Sequence, residues 1–285
     1  MLAARVPTLS AAVAPVLVGT AAAAATGRFH LLVFLAALIA AISIQVATNF
    51  ANDAFDFLRG ADTSRRLGPA RVTQSGLLSA REVLTGAYVA MGLACAAGAY
   101  LVALHGWPLA VVGLLSIAAG LAYTGGPWPL GYHGLGELFV FIFFGVVAVT
   151  GSAYVQTGSI SMVALSASIP VGLLVTAILV LNNLRDIETD RAAGKRTLAV
   201  RLGPRATRAL YVLCLAGAAA GPGIMRAAGL IGARFWLPWL LVPMLVALAG
   251  TALRSAEPAS LNNGLRKTAA AHLLFGILFG LSLLW

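Results

Sequence analysis

Long apolar runs alternate with short polar stretches along the whole of this 285-residue chain. Nine of these runs are close to the twenty or so residues that an α-helix needs to cross the hydrocarbon core of a membrane. They lie at residues 8–26, 30–52, 83–104, 107–124, 136–156, 160–181, 206–225, 235–253 and 268–285. The strands of a membrane barrel would instead be short and would alternate apolar with polar residues. The pattern predicts an all-α polytopic membrane protein with about nine transmembrane helices in a single domain, residues 1–285.

The composition agrees with this prediction. Hydrophobic residues make up 60% of the chain and charged residues only 10%, whereas about a quarter of a soluble domain is charged. Small residues inside the runs, such as Gly92 and Ala96 four positions apart, predict a close contact between helices. The composition therefore favours a tightly packed bundle in the bilayer over a soluble fold.

The basic residues divide unevenly between the two sides of the predicted bundle. The connections between the predicted helices alternate between the two sides of the membrane. Of the 19 Lys and Arg residues, all except Arg28, Arg226 and Arg234 then lie on the same side as the N-terminus. Short loops rich in Lys and Arg face the cytoplasm. We therefore expect a multi-pass protein of the bacterial plasma membrane with a cytoplasmic N-terminus. The formal net charge of +10 then requires no nucleic-acid partner.

Two polar motifs begin where the second and the sixth apolar runs end. NDAFDFLRGADT occupies residues 52–63 and NNLRDIETDRAAGKRTLAVRLG occupies residues 182–203. Both begin with Asn-x-x-x-Asp, and a spacing of four places the side chains on one helix face. The motifs hold six of the nine acidic residues: Asp53, Asp56, Asp62, Asp186, Glu188 and Asp190. This concentration favours a cytoplasmic binding site over two solvated loops.

Acidic and basic side chains occur together in both motifs, which restricts the ligand. Carboxylate and amide oxygens are suitable ligands for Mg²⁺, and Arg and Lys bind phosphate. At a site for a cation alone, the nearby basic residues would compete with the cation. At a site for an anion alone, the nearby acids would repel the anion. The mixture therefore favours a Mg²⁺-diphosphate, which carries both kinds of charge. A diphosphate held by metal becomes a good leaving group. In a membrane protein, we expect the organic part of this substrate to be a lipid.

Two other classes of membrane protein also use acids near membrane helices. A cation-coupled transporter has duplicated halves with polar residues at the membrane midplane, whereas the acids here lie at the ends of apolar runs. A CDP-alcohol phosphotransferase is expected to carry Asp-Gly-x-x-Ala-Arg with further acids in one contiguous motif, which this chain lacks. The transporter is kept as the more distant alternative.

Four segments resemble the UbiA superfamily of intramembrane aromatic prenyltransferases, and most closely its 1,4-dihydroxy-2-naphthoate polyprenyltransferase branch. They are NDAFDFLRGADT at 52–63, GPARVTQSG at 68–76, YTGGPWPLGYHGLGELFVFIFFG at 123–145 and NNLRDIETDRAAGKRTLAVRLG at 182–203. The extra residues around Gly60 favour this branch. The resemblance implies nine helices and cytoplasmic cap loops around a cavity open to lipid. It also implies decarboxylating transfer of a polyprenyl group from its diphosphate to the naphthoate, giving demethylmenaquinone. Acceptors of the 4-hydroxybenzoate or homogentisate type are the alternative.

The resemblance also suggests roles for individual residues. The candidate metal ligands are Asn52, Asp53, Asp56, Asp62, Asn182, Asp186 and Asp190. Two Mg²⁺ ions are expected. In an alternative interpretation, Asp53 supports the end of the helix instead of binding the metal. The candidate catalytic residues are Asp56, Asp186, Asp190 and Tyr123. The ring of Tyr123 could steady an allylic cation, or Tyr123 could be an ordinary interfacial aromatic residue. Candidate substrate contacts are Arg59, Arg71, Lys195 and Arg196 for the diphosphate, and Gln74, Ser75, His133 and Glu137 for the acceptor.

Overall fold

The computed structural model describes residues 3–61, 67–69 and 71–284. Across these residues nine helices follow one another, with no β-strand between them. They are α1 (Ser10–Ala24), α2 (Leu31–Leu58), α3 (Ala80–His105), α4 (Trp107–Ala122), α5 (Gly136–Thr157), α6 (Met162–Ala192), α7 (Leu198–Ala227), α8 (Val242–Arg254) and α9 (Pro258–Leu283). Short 3₁₀ turns, Val6–Leu9 and Ala233–Leu241, precede α1 and α8. The predicted fold class and the number of helices are confirmed.

The helices have the length and the apolar character of membrane spans. In the part of the chain that the structure describes, seven helical segments are long and apolar enough to cross a membrane. Trp107–Ala122 is apolar but shorter, and α9 begins with a polar stretch that includes Asn262 and Lys267. The chain is therefore a multi-pass membrane protein.

Two helices continue past the apolar runs that predicted them. α2 extends to Leu58 and α6 extends to Ala192, so both Asn-x-x-x-Asp sequences are helical, as their spacing predicted. Gly60 and Gly194 follow the two helix ends with φ of 68° and 72°, a left-handed conformation that glycine adopts without strain. The chain turns back at these glycines toward the acids that it has just passed.

The helix α6 lies at the centre of the bundle. It is buried along most of its length, and it packs extensively against α7 and also against α9 and α5. The main hydrophobic core contains residues of α1 and of the five helices from α5 to α9. The helix α2 packs most extensively against α3, and these two helices contribute to smaller cores. The two cavities described below lie between these two groups of helices.

Small residues allow α5 and α6 to approach closely, although not where the sequence suggested. A Cβ atom added at Gly145 would lie 2.6 Å from the Cα atom of Gly172. At Gly92 no atom lies within 4 Å of such a Cβ, and Gly92 and Ala96 are both exposed on α3. The prediction of a close contact at Gly92 and Ala96 is therefore wrong, because no helix in the described part of the chain packs against this face of α3.

We expect Gly145→Ala to destabilise the protein, because the backbone of α6 leaves no room for the methyl group. Overpacking of this kind costs about 1–3 kcal/mol. Gly92→Ala is the matched control, and we expect it to be neutral or slightly stabilising, since alanine favours helix more than glycine. The measurement is the thermal unfolding of both variants in detergent micelles. Equal melting temperatures for the two variants would contradict the close contact.

Candidate active site

A polar cavity with a volume of about 220 Å³ lies at the motif-bearing ends of α2 and α6. Both predicted motifs line it, through Asn52, Asp56, Asn182, Asp186 and Asp190. The structure therefore brings together five of the seven predicted metal ligands. Of the other two, Asp62 lies outside the described residues, and Asp53 is not in the cavity wall.

Asp56 is the most heavily bonded acid of the cavity. Its side chain is 4% exposed and receives three donors. The hydroxyl of Tyr132 donates to Oδ1 at 2.7 Å, and Nζ of Lys195 lies 3.1 Å from the same oxygen. Nη2 of Arg71 donates to Oδ2 at 3.2 Å. Two of the predicted diphosphate-binding cations thus already lie at the central acid of the first motif.

Tyr132 is a residue of the site that sequence reasoning missed. Nζ of Lys195 lies 4.7 Å from its ring centroid, and its backbone oxygen accepts a hydrogen bond from the amide of Arg196 at 2.9 Å. Tyr132 therefore connects the loop after α4 to the loop after α6. It stands in the third resembling segment, yet nothing in the local sequence distinguishes it from Tyr123.

Asp186 has its own cation, the neighbouring Arg185. The guanidinium of Arg185 donates to both carboxylate oxygens of Asp186, and Nη2 also donates to Oδ1 of Asn182 at 2.9 Å. Nη1 of Arg185 donates to Oδ1 of Asn262 at 2.6 Å, and Nδ2 of Asn262 donates to the carbonyl of Leu67 at 2.8 Å. The second motif is thereby connected through α9 to the loop that follows the first motif.

Hydrogen bonds hold Asp53, which lies outside the cavity wall, and Asn52, which lies within it. Asp53 is 1% exposed, and its oxygens accept the backbone N–H groups of Val72 and Thr73 at 3.2 and 3.0 Å. Oδ1 of Asn52 accepts the hydroxyl of Thr124 at 2.6 Å. Asp53 thus fixes the loop that carries Arg71, which favours the interpretation of Asp53 as a support.

The predicted contacts to the acceptor do not line the polar cavity in this structure. Glu137 is buried and accepts a hydrogen bond from Asn183 at 2.9 Å. His133 stacks on Trp128, with 4.2 Å between ring centroids, and its Nδ1 lies 2.9 Å from the carbonyl oxygen of Pro129. The remaining two residues, Gln74 and Ser75, lie in the loop after Arg71, half-buried and exposed respectively.

Two of the predicted diphosphate contacts also lie outside the cavity wall. The side chain of Arg59 donates to the carbonyl of Gly126, and its guanidinium lies 5.6 Å from the ring centroid of Tyr132. Arg196 is exposed. Of the four predicted cations, Arg71 and Lys195 are the two that line the cavity.

A second, apolar cavity of about 200 Å³ adjoins the polar one. Its wall comes from α1 to α5 and includes a pair of stacked rings, Phe139 and Phe143. Tyr123 and Phe144 line both cavities, so Tyr123 marks the junction between charged and apolar surroundings.

The profile of the UbiA prenyltransferase family matches residues 12–284. The chain belongs to this family. It is 41% identical to the 1,4-dihydroxy-2-naphthoate octaprenyltransferase of Mycobacterium tuberculosis, over 96% of this chain and 92% of that protein. It is 38% identical to the enzyme of the same name from Escherichia coli, over 98% of this chain and 92% of that protein.

Solved structures of low sequence identity share the fold. A UbiA homolog from Aeropyrum pernix K1, in its apo form, superposes with a TM-score of 0.73 at 19% identity, over 95% of this chain and 96% of that one. A UbiA homolog from Archaeoglobus fulgidus bound to GPP and Mg²⁺ gives a TM-score of 0.68 at 15% identity, over 99% of this chain and 97% of that one. The arrangement of helices is that of the UbiA family.

We expect Tyr132→Phe to destabilise the protein by about 1–2 kcal/mol, because it removes a hydrogen bond to a buried carboxylate and retains the ring. The measurement is the melting temperature in detergent micelles. Tyr88→Phe is the control, since Tyr88 is exposed on α3. A melting temperature of Tyr132→Phe no lower than that of the control would show that the hydroxyl does not stabilise Asp56.

Proposed function

We propose that this protein transfers a polyprenyl group from polyprenyl diphosphate to 1,4-dihydroxy-2-naphthoate and so produces demethylmenaquinone in its hydroquinone form. The bond between the prenyl C1 and the diphosphate oxygen breaks, and a bond from C1 to a ring carbon forms as that carbon loses its proton. The carboxyl group leaves as CO₂ and a proton takes its place, so the ring keeps its oxidation state. One observation carries the proposal. The cavity that holds both Asn-x-x-x-Asp motifs continues at Tyr123 into an apolar cavity, in a chain 41% identical to an enzyme named for this acceptor.

The oxygen-rich wall of the polar cavity suits Mg²⁺. The proposed ligands are Asn52 and Asp56 from α2 with Asn182, Asp186 and Asp190 from α6, and Asp62 is kept as a sixth candidate. Among the described residues no three acidic, His or Cys side chains already form a metal cluster. These residues would hold the metal, proposed as two ions, together with the diphosphate, since Mg²⁺ typically binds through one or two carboxylates plus substrate phosphates. When bound, it neutralises charge on the leaving diphosphate.

Lys195 and Arg71 are placed to take part in diphosphate binding. Both bind Asp56 in this structure. Asp56 would be one of the residues that hold the metal, and Lys195 and Arg71 would bind phosphate oxygens beside it, where they remain paired with negative charge. They would stabilise the negative charge that develops on the diphosphate as the prenyl group departs.

Tyr123 and the apolar cavity would receive the lipid part of the substrate. The prenyl tail fits a wall formed by side chains such as Ile44, Phe139 and Phe143. At the junction, the ring of Tyr123 would face the allylic carbon and steady positive charge there through its π electrons. The motif-bearing end of the bundle is proposed to be cytoplasmic, in a bacterial plasma membrane.

The activity is tested with membranes that contain the full chain, Mg²⁺, a polyprenyl diphosphate and one aromatic acid at a time, with products identified by mass. We expect the decarboxylated prenyl product from 1,4-dihydroxy-2-naphthoate and no turnover in excess chelator. Asp56→Ala and Asp186→Ala should each lower turnover by about 10²-fold or more in correctly inserted protein. If product formed only from 4-hydroxybenzoate or homogentisate, the acceptor would be of that type and not the proposed one. Full turnover in excess chelator would show that the reaction does not require a metal ion.

We expect Lys195→Gln and Arg196→Gln to differ, although the two residues are adjacent. Lys195 lines the cavity and binds Asp56, so its loss should raise the KM for prenyl diphosphate and lower kcat, by about 2–5 kcal/mol in kcat/KM. Arg196 is exposed, and its variant should remain within a few-fold of wild type. Steady-state kinetics on purified protein measure both. Equal losses in the two variants would show that Arg196 closes over the diphosphate as well.

A further inference from the structure

The apolar cavity extends from the junction at Tyr123 deep into the bundle. Thr48 on α2 and Phe144 on α5 line both cavities and so mark its near end. Ala37 and Val155 line the apolar cavity only, each eleven positions along its helix from Thr48 and Phe144 respectively. Eleven helical residues span about 16 Å, roughly half the thickness of the hydrocarbon core of a bilayer. The cavity therefore follows α2 and α5 away from the acidic motifs.

The two halves of this cavity differ in the size of the side chains that form the wall. Near the junction the wall carries large side chains, those of Ile44, Phe139, Phe143 and Phe144. In the deeper half, the wall contributed by α2 and α5 consists mostly of small residues: Ala37, Ala40, Ala41, Ala148, Gly151 and Ser152. Because protein interiors are otherwise closely packed, these small residues are the reason that the space continues beyond the aromatic rings.

Gly151 is the smallest of these residues, and neither packing nor backbone conformation requires a glycine there. A Cβ atom added at Gly151 would meet no described atom within 4 Å, whereas one added at Gly145 on the same helix would meet the backbone of α6. Gly151 lies within a helix and has no positive φ. A glycine inside a helix is less stable than an alanine. Its effect at this position is therefore to keep the cavity open.

Buried apolar side chains form the far end of the cavity. Val16, Leu101 and Val155 line it there and belong to one buried cluster. The carbonyl oxygen of Val155 lies 2.7 Å from Nε2 of His105, so α5 and the end of α3 are joined behind this cluster. Gly151 precedes Val155 by one helical turn. A ligand that enters from the junction must therefore pass Gly151 before it reaches the far end.

We propose that Gly151 determines the length of the prenyl chain that the protein accepts, because its missing side chain admits the later isoprene units to the deeper half of the cavity. This inference rests on the proposed function, in which the prenyl tail occupies the apolar cavity. With C1 at Tyr123, the first isoprene unit lies among the aromatic rings near the junction. The later units lie along α2 and α5, past Gly151 and toward Val16 and Leu101. A larger side chain at Gly151 obstructs those later units and leaves the first unit undisturbed.

The binding test compares dimethylallyl diphosphate, which has one isoprene unit, with geranylgeranyl diphosphate, which has four. Each is titrated calorimetrically into purified full-length protein in detergent micelles with Mg²⁺ and no aromatic acceptor. Gly151→Leu should weaken the binding of geranylgeranyl diphosphate about tenfold or more, as overpacking predicts, and leave that of dimethylallyl diphosphate unchanged. Gly92→Leu is the matched control, since Gly92 is an exposed helical glycine with equal space for a Cβ atom. Comparing each variant with wild type in the same micelles cancels the partition of the ligand into detergent.

Two outcomes overturn the proposal. Unchanged binding of geranylgeranyl diphosphate by Gly151→Leu would show that the tail leaves the cavity before this position. An equal loss for both diphosphates would show that the substitution acts on the diphosphate site or on the fold. Gly151→Ala, whose methyl group also enters open space, should show a smaller loss confined to the long chain, and it decides the matter if the leucine variant does not fold. If wild type prenylates no aromatic acid, the proposed function fails, and this comparison without acceptor still decides the role of Gly151.

Discussion

A carboxylate inside a membrane bundle has to be neutralised where it lies, because the bilayer offers neither water nor counterions. Asp56 meets this requirement through Tyr132, Lys195 and Arg71. These three donors come from three different loops, so the position of each loop depends on one buried charge. Asp186 is neutralised by Arg185, which also donates to Asn262 of α9. The shape of the cavity therefore follows from the need to pair its acids.

The fold was predictable because its signals are local. Each apolar run is complete in itself, and the spacing of Asn182, Asp186 and Asp190 needs only a helix to bring them together. The partners of those acids were less accessible. Asn262 reaches Arg185 from the last helix, and no pattern near Asn262 marks it. Lys195 was found because Gly194 turns the chain at once, with φ 72°, so that its position still follows from its neighbours.

Residues that look equivalent in the sequence separate once the tertiary structure is known. Tyr123 and Tyr132 stand in the same loop, yet Tyr132 bonds to Asp56 whereas Tyr123 lies at the junction of the cavities. Gly92 and Gly145 both lie within apolar helices, and only Gly145 meets another helix. In each pair the neighbouring element decides the role. A single chain without aligned relatives does not reveal which element that is.

The first and the last helices meet, since α1 packs extensively against α9. Arg5 and Leu265, which lie just before α1 and within α9, both line the polar cavity. All the proposed metal ligands are synthesised before α9 begins at Pro258. A nascent chain thus carries a full set of acidic residues while its cavity still lacks a wall. A chain in which α9 has not yet packed against α1 therefore has a polar cavity with an incomplete wall at Leu265.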